Sequence, residues 1–179
     1  MVTLYTIGHS TRPAEEFLEL LAENGIELLL DIRRFPASRR NPHFDRAALE
    51  RALAERGVRY RHVAELGGHR ESSAQSRNSG VEGGALRGYA DHTATAEFAR
   101  ATERVLADAR AARTIVMCAE ARPSDCHRRL LADWLAFHGH DVVHVLGPDL
   151  CEPHALDPGL LRDERGVLVW RARQATLFD

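Results

Sequence analysis

Apolar, β-rich runs alternate with helix-like segments through most of the chain, and this alternation limits the possible folds more than any other feature. Residues 26–32 are almost uninterruptedly apolar, which is typical of a strand buried on both faces of a parallel sheet. The other predicted strands cover residues 2–7, 58–63, 114–118 and 141–146. The pattern predicts an α/β fold, with a mostly parallel sheet of about five strands and helices on both faces.

Helices are predicted between these strands from capping residues and from apolar side chains at helical spacing. Ser10 or Thr11 caps the first helix, which Gly25 ends, and Asp45 caps a second helix that runs to about residue 56. A third helix is predicted over residues 94–111. A fourth begins at Ser124 or Asp125, so that Cys126 would lie about two residues inside it.

Two stretches break the alternation. Residues 64–93 hold six glycines and many Ser and Arg residues without periodicity, which indicates either a functional lid or a disordered segment. Residues 147–179 are irregular apart from one predicted strand over residues 167–170. We therefore expect one α/β domain over residues 1–146, with a flexible loop at 64–93, followed by a C-terminal extension over residues 147–179.

Composition excludes several classes of protein. All 24 basic residues are arginine, which excludes Schiff-base lysine chemistry and a P-loop lysine. The net charge is only -2, but residues 31–77 carry eleven arginines against six acids, a basic segment suited to an anionic substrate. Three cysteines are too few for a disulfide scaffold, no apolar run reaches the ~20 residues of a membrane span, and the N-terminus lacks a signal-peptide pattern. We expect a cytoplasmic protein with reduced thiols and no membrane partner.

Reactive side chains collect where the predicted strands end. In an open parallel sheet, ligands bind just beyond the carboxyl ends of the strands, so these side chains are expected to share one cleft. The predicted catalytic residues are His9, Asp31, Cys118, Glu120, Cys126 and His127. The predicted substrate- or anion-binding residues are Ser10, Arg33, Arg122, Arg128 and Arg129.

Three kinds of chemistry remain open for this cleft. A helix start and nearby arginines would stabilise a Cys126 thiolate as a nucleophile or redox group, whereas a buried structural thiol is the alternative. A zinc or iron site is the second possibility, with Cys118, Cys126, His127 and His9 as ligands, although the spacing matches no compact zinc motif. The third is an anion pocket for phosphate or sulfate. No cofactor is required by the sequence.

Five short motifs of this chain occur together in one known family. They are Thr6-Ile7-Gly8-His9-Ser10, Asp31-Ile32-Arg33 with Pro36 and Ser38, Leu66-Gly67-Gly68, Gly88-Tyr89-Ala90-Asp91, and Met117-Cys118-Ala119-Glu120 with Cys126-His127-Arg128. In this order they resemble the bacterial and archaeal domain of unknown function 488, over residues 3–146. The resemblance implies a compact α/β domain and one common site for these residues. It implies no established reaction.

The end of the chain carries a separate motif. Residues 174–178, Gln-Ala-Thr-Leu-Phe, resemble the Q-x-x-L-F peptide by which bacterial replication and repair proteins dock on the sliding clamp. Gln174 would be the polar anchor, and Leu177 and Phe178 would enter an apolar pocket of the clamp. The alternative is that Leu177 and Phe178 pack on their own domain.

These observations lead to one main functional hypothesis and two alternatives. The main hypothesis is a small cytosolic enzyme that acts on a phosphate-bearing substrate, above all nucleic acid, in a repair or processing setting. The first alternative is a non-catalytic nucleic-acid-binding or adaptor module that uses the same arginines. The second is a thiol redox or sulfur-transfer enzyme.

Overall fold

The main sheet has six strands, five of them parallel. The computed structural model describes residues 1–172. The strands of this sheet are β1 (Thr3–Gly8), β2 (Leu28–Asp31), β3 (Arg59–His62), β4 (Thr114–Cys118), β5 (Asp141–Gly147) and β6 (Leu150–Pro153). Their spatial order is β3-β2-β4-β1-β5-β6, and only β6 runs antiparallel to its neighbour. This confirms the predicted α/β class and the mostly parallel sheet.

Five helices cover the two faces of this sheet. They are α1 (Ala14–Glu23), α2 (Arg46–Glu55), α3 (Gly84–His92), α4 (Ala96–Ala111) and α5 (Arg128–Phe137). Thr95 accepts a hydrogen bond from the backbone N–H of Phe98 at 3.2 Å and so caps α4. Asp45 is the N-cap of α2, as predicted, whereas the N-caps of α1 and α5 are Pro13 and His127 rather than the predicted Ser, Thr or Asp residues. Gly57 and Gly139 follow α2 and α5 with φ of 74° and 81°, a conformation that favours glycine.

The core is divided between the two faces because side chains alternate along each strand. Helices α1 and α2 bury Phe17, Leu21 and Leu53 against Ile7 and Ile115 on one face. Helices α3, α4 and α5 pack on the other face, and their buried contacts include Tyr89, Phe98 and Leu130 against Leu4 and Val116. The prediction of helices on both faces is therefore confirmed.

The structure corrects two predictions of irregular structure in part. The stretch 64–93 contains α3, which the glycines around it conceal in the sequence. Gly88 lies inside this helix because a Cβ there would fall 2.2 Å from the backbone oxygen of Arg70. In the C-terminal extension, β8 (Leu168–Trp170) confirms the strand predicted over residues 167–170 and pairs with β7 (Leu160–Arg162) in a separate two-stranded sheet. The sequence pattern does not predict β6 or β7, and β6 joins the main sheet. Whether residues 64–93 are mobile stays a prediction.

Gln174, Leu177 and Phe178 lie outside the described residues, as does the whole proposed clamp peptide. Within residues 1–172, none of the helices combines the length and the apolar character that a membrane span requires.

Candidate functional site

A cavity of about 430 Å³ opens at the carboxyl edge of the main sheet. Its lining residues follow β1, β2 and β4 or come from the segments that cover these strand ends. They are His9, Arg33, Arg34, Phe35, Ala37, Ser38, Gly68, His69, Ala85, Leu86, Cys118, Ala119, Glu120, Asp125, Cys126 and His127. The volume lies in the range that small-molecule sites occupy.

The position of the cavity follows from the strand order. β1 and β4 are neighbours, yet the chain leaves β1 toward β2 on one side and leaves β4 toward β5 on the other. The helix that follows β1 packs on one face of the sheet and the helix that follows β4 packs on the other, so a crevice forms between the two strand ends, where ligands of open α/β sheets bind. Parallel pairing places Gly8 opposite Cys118, so His9 and Ala119 emerge side by side at the crevice.

One wall of the cavity brings together two thiols and an imidazole. One ligand atom each from Cys118, Cys126 and His127 lie within 4.8 Å of one another, and all three residues are buried. Nδ1 of His127 is 3.8 Å from Sγ of Cys118 and 3.7 Å from Sγ of Cys126. Nε2 of the same ring is buried without a hydrogen-bond partner among the described residues. We name this group the sulfur wall: Cys118, Cys126 and His127, with the adjacent Glu120.

Cys126 lies before its helix rather than inside it, which corrects the prediction. His127 is the N-cap of α5, and Arg128 is its first residue. The backbone N–H of Arg128 nevertheless donates to Sγ of Cys126 at 3.5 Å, so the sulfur still receives a free N–H of the helix start.

The two thiols have opposite shifts in pKa. Burial alone raises the pKa of Cys126, but hydrogen bonds with Cys118 and His127 and the positive charge of Arg128 lower this pKa well below its usual value. The hydrogen bond with Cys126, together with burial, raises the pKa of Cys118 well above its usual value. Cys118 also donates from Sγ to Oε2 of Glu120 at 3.0 Å. Cys126 is thus the more acidic of the two thiols.

A second part of the cavity wall is built on a buried ion pair. Asp31, at the end of β2, accepts two bonds from Nε of Arg33 at 2.9 and 3.1 Å and one from Nη2 at 2.6 Å. The hydroxyl of Tyr60 donates to the same carboxylate at 2.9 Å. This leaves Nη1 of Arg33 directed toward Nε2 of His9, at 3.4 Å. Asp31 therefore orients the guanidinium of Arg33 and does not itself line the cavity.

His9 is neutral at physiological pH. Burial, with a smaller contribution from the charge of Arg33, lowers the pKa of His9 to about 4. Its Nδ1 lies 2.8 Å from the carbonyl oxygen of Ser10, which only accepts, so Nδ1 carries the proton and Nε2 presents a lone pair. The ring stacks on Phe44 with centroids 4.3 Å apart. His9 is thus held in a fixed orientation, with its Nε2 lone pair facing Nη1 of Arg33.

The structure does not bring all the predicted anion-binding residues to the cavity. Arg128 is fully buried, and its Nη2 donates to the backbone oxygens of Glu120 and Ala121 at 2.6 and 3.3 Å. Arg129 pairs with Asp157 at 3.0 Å instead. Arg122 is exposed and Ser10 is half-buried, and neither residue lines the cavity. Of the five predicted residues, only Arg33 lines it.

Two glycines allow close packing of the segments that surround the cavity. A Cβ on Gly8 would lie 1.8 Å from the backbone oxygen of Glu120, so glycine lets the chain after β4 cross the end of β1. A Cβ on Gly68 would lie 2.8 Å from Nδ1 of His127. Both glycines belong to motifs of the sequence analysis, where no specific role was predicted for them.

Several residues of the site carry no local sequence signal. Tyr60 reaches Asp31 only because β3 pairs with β2, and Tyr89 packs its ring 4.8 Å from that of His127 from within α3. Arg34, Phe35 and His69 line the cavity from loops. The Leu66-Gly67-Gly68 and Gly88-Tyr89-Ala90-Asp91 motifs mark two of these regions, but their side chains could not be assigned from spacing.

Fold and site together define an open α/β protein with a small-molecule-sized cavity at the point where its strand order reverses. The family model described as Domain of unknown function DUF488 matches residues 13–135, more than half of the chain. The chain belongs to this family. Neither the curated proteins nor the solved structures gave a match.

Proposed function

We propose that this protein is a small enzyme and that the cavity at the carboxyl edge of the sheet is its active site. The observation that supports this is that two chemically different groups line one cavity: the sulfur wall with Glu120, and the wall that carries Arg33, Arg34 and His9. Such a convergence of nucleophilic, acid-base and cationic groups in a concave pocket is the usual mark of an active site.

The charges favour an anionic substrate. Arg33 and Arg34 lie on one wall, whereas Glu120 and Asp125 lie on the other. A substrate with a phosphate or similar anion at one end would bind its anion to the arginine wall and present its reacting end to the sulfur wall. Guanidinium groups suit phosphate because they donate two parallel hydrogen bonds.

The apolar lining narrows the substrate further. Phe35 is 72% exposed and lies on the cavity, where Leu86 provides a second apolar surface. A planar ring stacked on Phe35 would remove apolar area from water and leave the anion free to reach Arg34. The cavity therefore suits a small phosphate-bearing molecule or a single nucleotide unit, in keeping with the main functional hypothesis.

The test of substrate class is a binding titration with a panel of probes: inorganic phosphate, a nucleoside monophosphate and a short single-stranded DNA. We expect at least one phosphate-bearing probe to bind, and Arg34→Gln to weaken it about tenfold or more, because a charge-assisted hydrogen bond contributes ~1.5–3 kcal/mol. Arg39→Gln is the matched control, since Arg39 is exposed on the same loop and does not line the cavity. No binding by any probe, or equal loss in both variants, contradicts the proposal.

The probes also separate the enzyme hypothesis from the adaptor alternative. An enzyme converts the bound probe, or an activated ester of it, and Glu120→Gln should abolish that turnover without abolishing binding. An adaptor would bind DNA without turnover, with an affinity that falls by about 0.7–0.9 log units per log unit of salt for each phosphate neutralised.

The proximity of two free thiols favours a second candidate function, dithiol redox chemistry. Sγ of Cys118 and Sγ of Cys126 lie within 4.8 Å, and both cysteines are free. A disulfide substrate would oxidise the pair to a disulfide and be reduced to two thiols, with no other electron acceptor. Mass spectrometry after treatment with oxidised glutathione should find a Cys118–Cys126 disulfide. Mixed disulfides confined to the exposed Cys151 would contradict this candidate.

The sliding clamp remains a proposal from the sequence alone. Alanine at both Leu177 and Phe178 should abolish micromolar-scale binding to a purified clamp and leave the melting temperature nearly unchanged. A fall of several degrees with no clamp binding by the unaltered chain would instead support packing of these side chains on their own domain.

A further inference from the structure

We propose that Cys118, Cys126 and His127 together bind one zinc ion whose fourth coordination position faces the cavity. The inference stands on the geometry of these three residues, and its catalytic meaning rests on the proposed function. The zinc ion would lie at the sulfur wall of the cavity.

The first support is the spacing of the three ligand atoms. Zinc binds thiolate sulfur at about 2.3 Å and imidazole nitrogen at about 2.0–2.1 Å, so a tetrahedral site separates sulfur from nitrogen by about 3.6 Å. Nδ1 of His127 is 3.7 Å from Sγ of Cys126 and 3.8 Å from Sγ of Cys118. The nitrogen thus lies at nearly the required distance from both sulfurs at once, and small shifts of the side chains would complete the site.

The second support is the chemistry of the donor set. Two thiolates and an imidazole select zinc or another soft or borderline transition metal over magnesium, calcium and manganese. Three protein ligands are the number found in catalytic zinc sites, whereas structural sites are closed by four. All three residues line the cavity, so an incoming water or substrate atom can reach the fourth position.

The third support is that fixed elements hold each ligand. Cys118 ends the buried strand β4, and Cys126 and His127 precede α5 directly. The guanidinium of Arg128 binds the backbone of the connecting segment at Glu120 and Ala121, which fixes the distance between the two halves of the site. Gly68 leaves room for the imidazole on one side. A ligand set held in this way needs little reorganisation to bind a metal.

Glu120 is placed to move a proton beside the metal. It is outside the three-residue cluster, and its Oε2 accepts a hydrogen bond from Sγ of Cys118 at 3.0 Å. That thiol proton is lost when zinc binds, because the ligand is the thiolate, and the carboxylate is then free to accept another. A glutamate two residues after a zinc ligand, itself not a ligand, has this role in the zinc-dependent nucleobase deaminases.

The resulting activity would be hydrolytic. Zinc lowers the pKa of a bound water to near 7 and so supplies a nucleophile at neutral pH. The water oxygen forms the new bond to the electrophilic atom of the substrate, and Glu120 accepts the proton that the water loses. The bond to the leaving group breaks with its electron pair on that group, which takes the proton from Glu120.

The test is elemental analysis of the full chain, purified without chelators from cells grown with zinc. We expect about one zinc ion per chain, and at least a fivefold lower content in Cys118→Ser, Cys126→Ser and His127→Gln. Cys151→Ser is the matched control and should keep full zinc content, because Cys151 is exposed and its Sγ contacts Asn24 rather than the cavity. Zinc content that is negligible in the native chain, or lost equally in the control, overturns the inference.

Cobalt provides a second measurement that does not depend on the folding of any variant. Cobalt added to the metal-free native chain should produce intense visible bands of a tetrahedral ion and near-ultraviolet thiolate-to-cobalt charge transfer. A weak octahedral spectrum without charge transfer overturns the site.

The proposed function and the metal fail separately. Glu120→Gln should keep its zinc and Arg34→Gln should keep both zinc and the cobalt spectrum, while the first loses turnover and the second loses anion binding. Phosphate binding without zinc leaves the proposed function standing and removes the metal. Zinc binding without binding of any phosphate-bearing probe leaves the metal site standing and contradicts the proposed function.

Discussion

Gly68 shows how a single missing side chain shapes the sulfur wall. A Cβ at this position would lie 2.8 Å from Nδ1 and 3.3 Å from Cε1 of His127, closer than nonbonded carbon atoms approach a ring. The imidazole cannot yield easily, because Tyr89 packs against its ring on the same side of the sheet. Position 68 therefore controls where the imidazole lies relative to the two sulfurs.

The first prediction follows from this contact. Gly68→Ala should reduce the free energy of unfolding by about 1–3 kcal/mol, the usual cost of overpacking, and should move His127 away from the sulfurs. Gly84→Ala is the control, because nothing lies within 4 Å of a Cβ there and the position begins α3. Urea denaturation of both variants, with zinc content where the metal is present, measures the difference. Equal stability of the two variants would contradict the packing argument.

At the scale of secondary-structure elements, the junction between β4 and α5 depends on Arg128. Its guanidinium is fully buried, donates to the backbone oxygens of Glu120 and Ala121, and contacts the hydroxyl of Thr6 at 3.4 Å. The arginine thus ties the segment after β4 to the start of α5 and to β1. Its role in the structure is internal, unlike the anion-binding role that the sequence predicted.

The second prediction concerns this tie. Arg128→Met keeps the length of the side chain but leaves the two carbonyl oxygens without a donor, so the free energy of unfolding should fall by roughly 1–3 kcal/mol or more. Arg129→Met removes only the partly exposed pair with Asp157 and should cost less than about 1 kcal/mol. Thermal unfolding of both variants measures the order, and a larger loss in Arg129→Met would refute it.

The elements differ in how far the sequence predicts them. β2 and β4 are predictable because every one of their residues is buried, which produces continuous apolar runs. α3 is not predictable, because the close approach of the Arg70 backbone requires glycine at position 88, and glycine is a weak helix former. β6 is exposed along its whole length, so it has no apolar pattern and is defined only by pairing with β5.

The site is predictable to the same degree and for related reasons. Strand ends locate Cys118 and Asp31 at the correct edge of the sheet, because parallel strands share that edge. The directions of Arg128 and Arg129 are set by carbonyl oxygens and by Asp157, which come from other segments. Tyr60 likewise reaches Asp31 across a strand pair. Such contacts depend on tertiary structure and leave no periodic trace in the chain.

For the molecule as a whole, three buried histidines with lowered pKa values, His9, His92 and His144, couple stability to pH. Burial, with smaller contributions from Arg33 in one case and His154 and Arg128 in the other, lowers the pKa of His9 and of His144 to about 4. In the unfolded chain both return to about 6.5. Between these values the unfolded chain binds more protons than the folded one, so the free energy of unfolding must fall as the pH falls from about 6.5 to about 4.

The third prediction is therefore a loss of roughly 2–3 kcal/mol for each of His9 and His144 across that pH range. His144→Asn should flatten the pH dependence of the free energy of unfolding, whatever its effect on stability at pH 7. His69→Asn is the control because His69 is exposed, and its positive φ of 56° is tolerated by Asn. Urea titrations at pH 7, 6 and 5 measure the slopes, and an unchanged slope in His144→Asn would refute the assignment.

The place of β4 between β1 and β2 has a consequence for how the molecule assembles. β1 pairs only with β4 and β5 in the main sheet, and both follow it by more than a hundred residues. During synthesis β1 therefore cannot pair with β4 or β5 until the second half of the chain has left the ribosome. Contacts of such long range slow folding. Because the crevice lies beside the end of β4, it requires β4 to pair between β1 and β2.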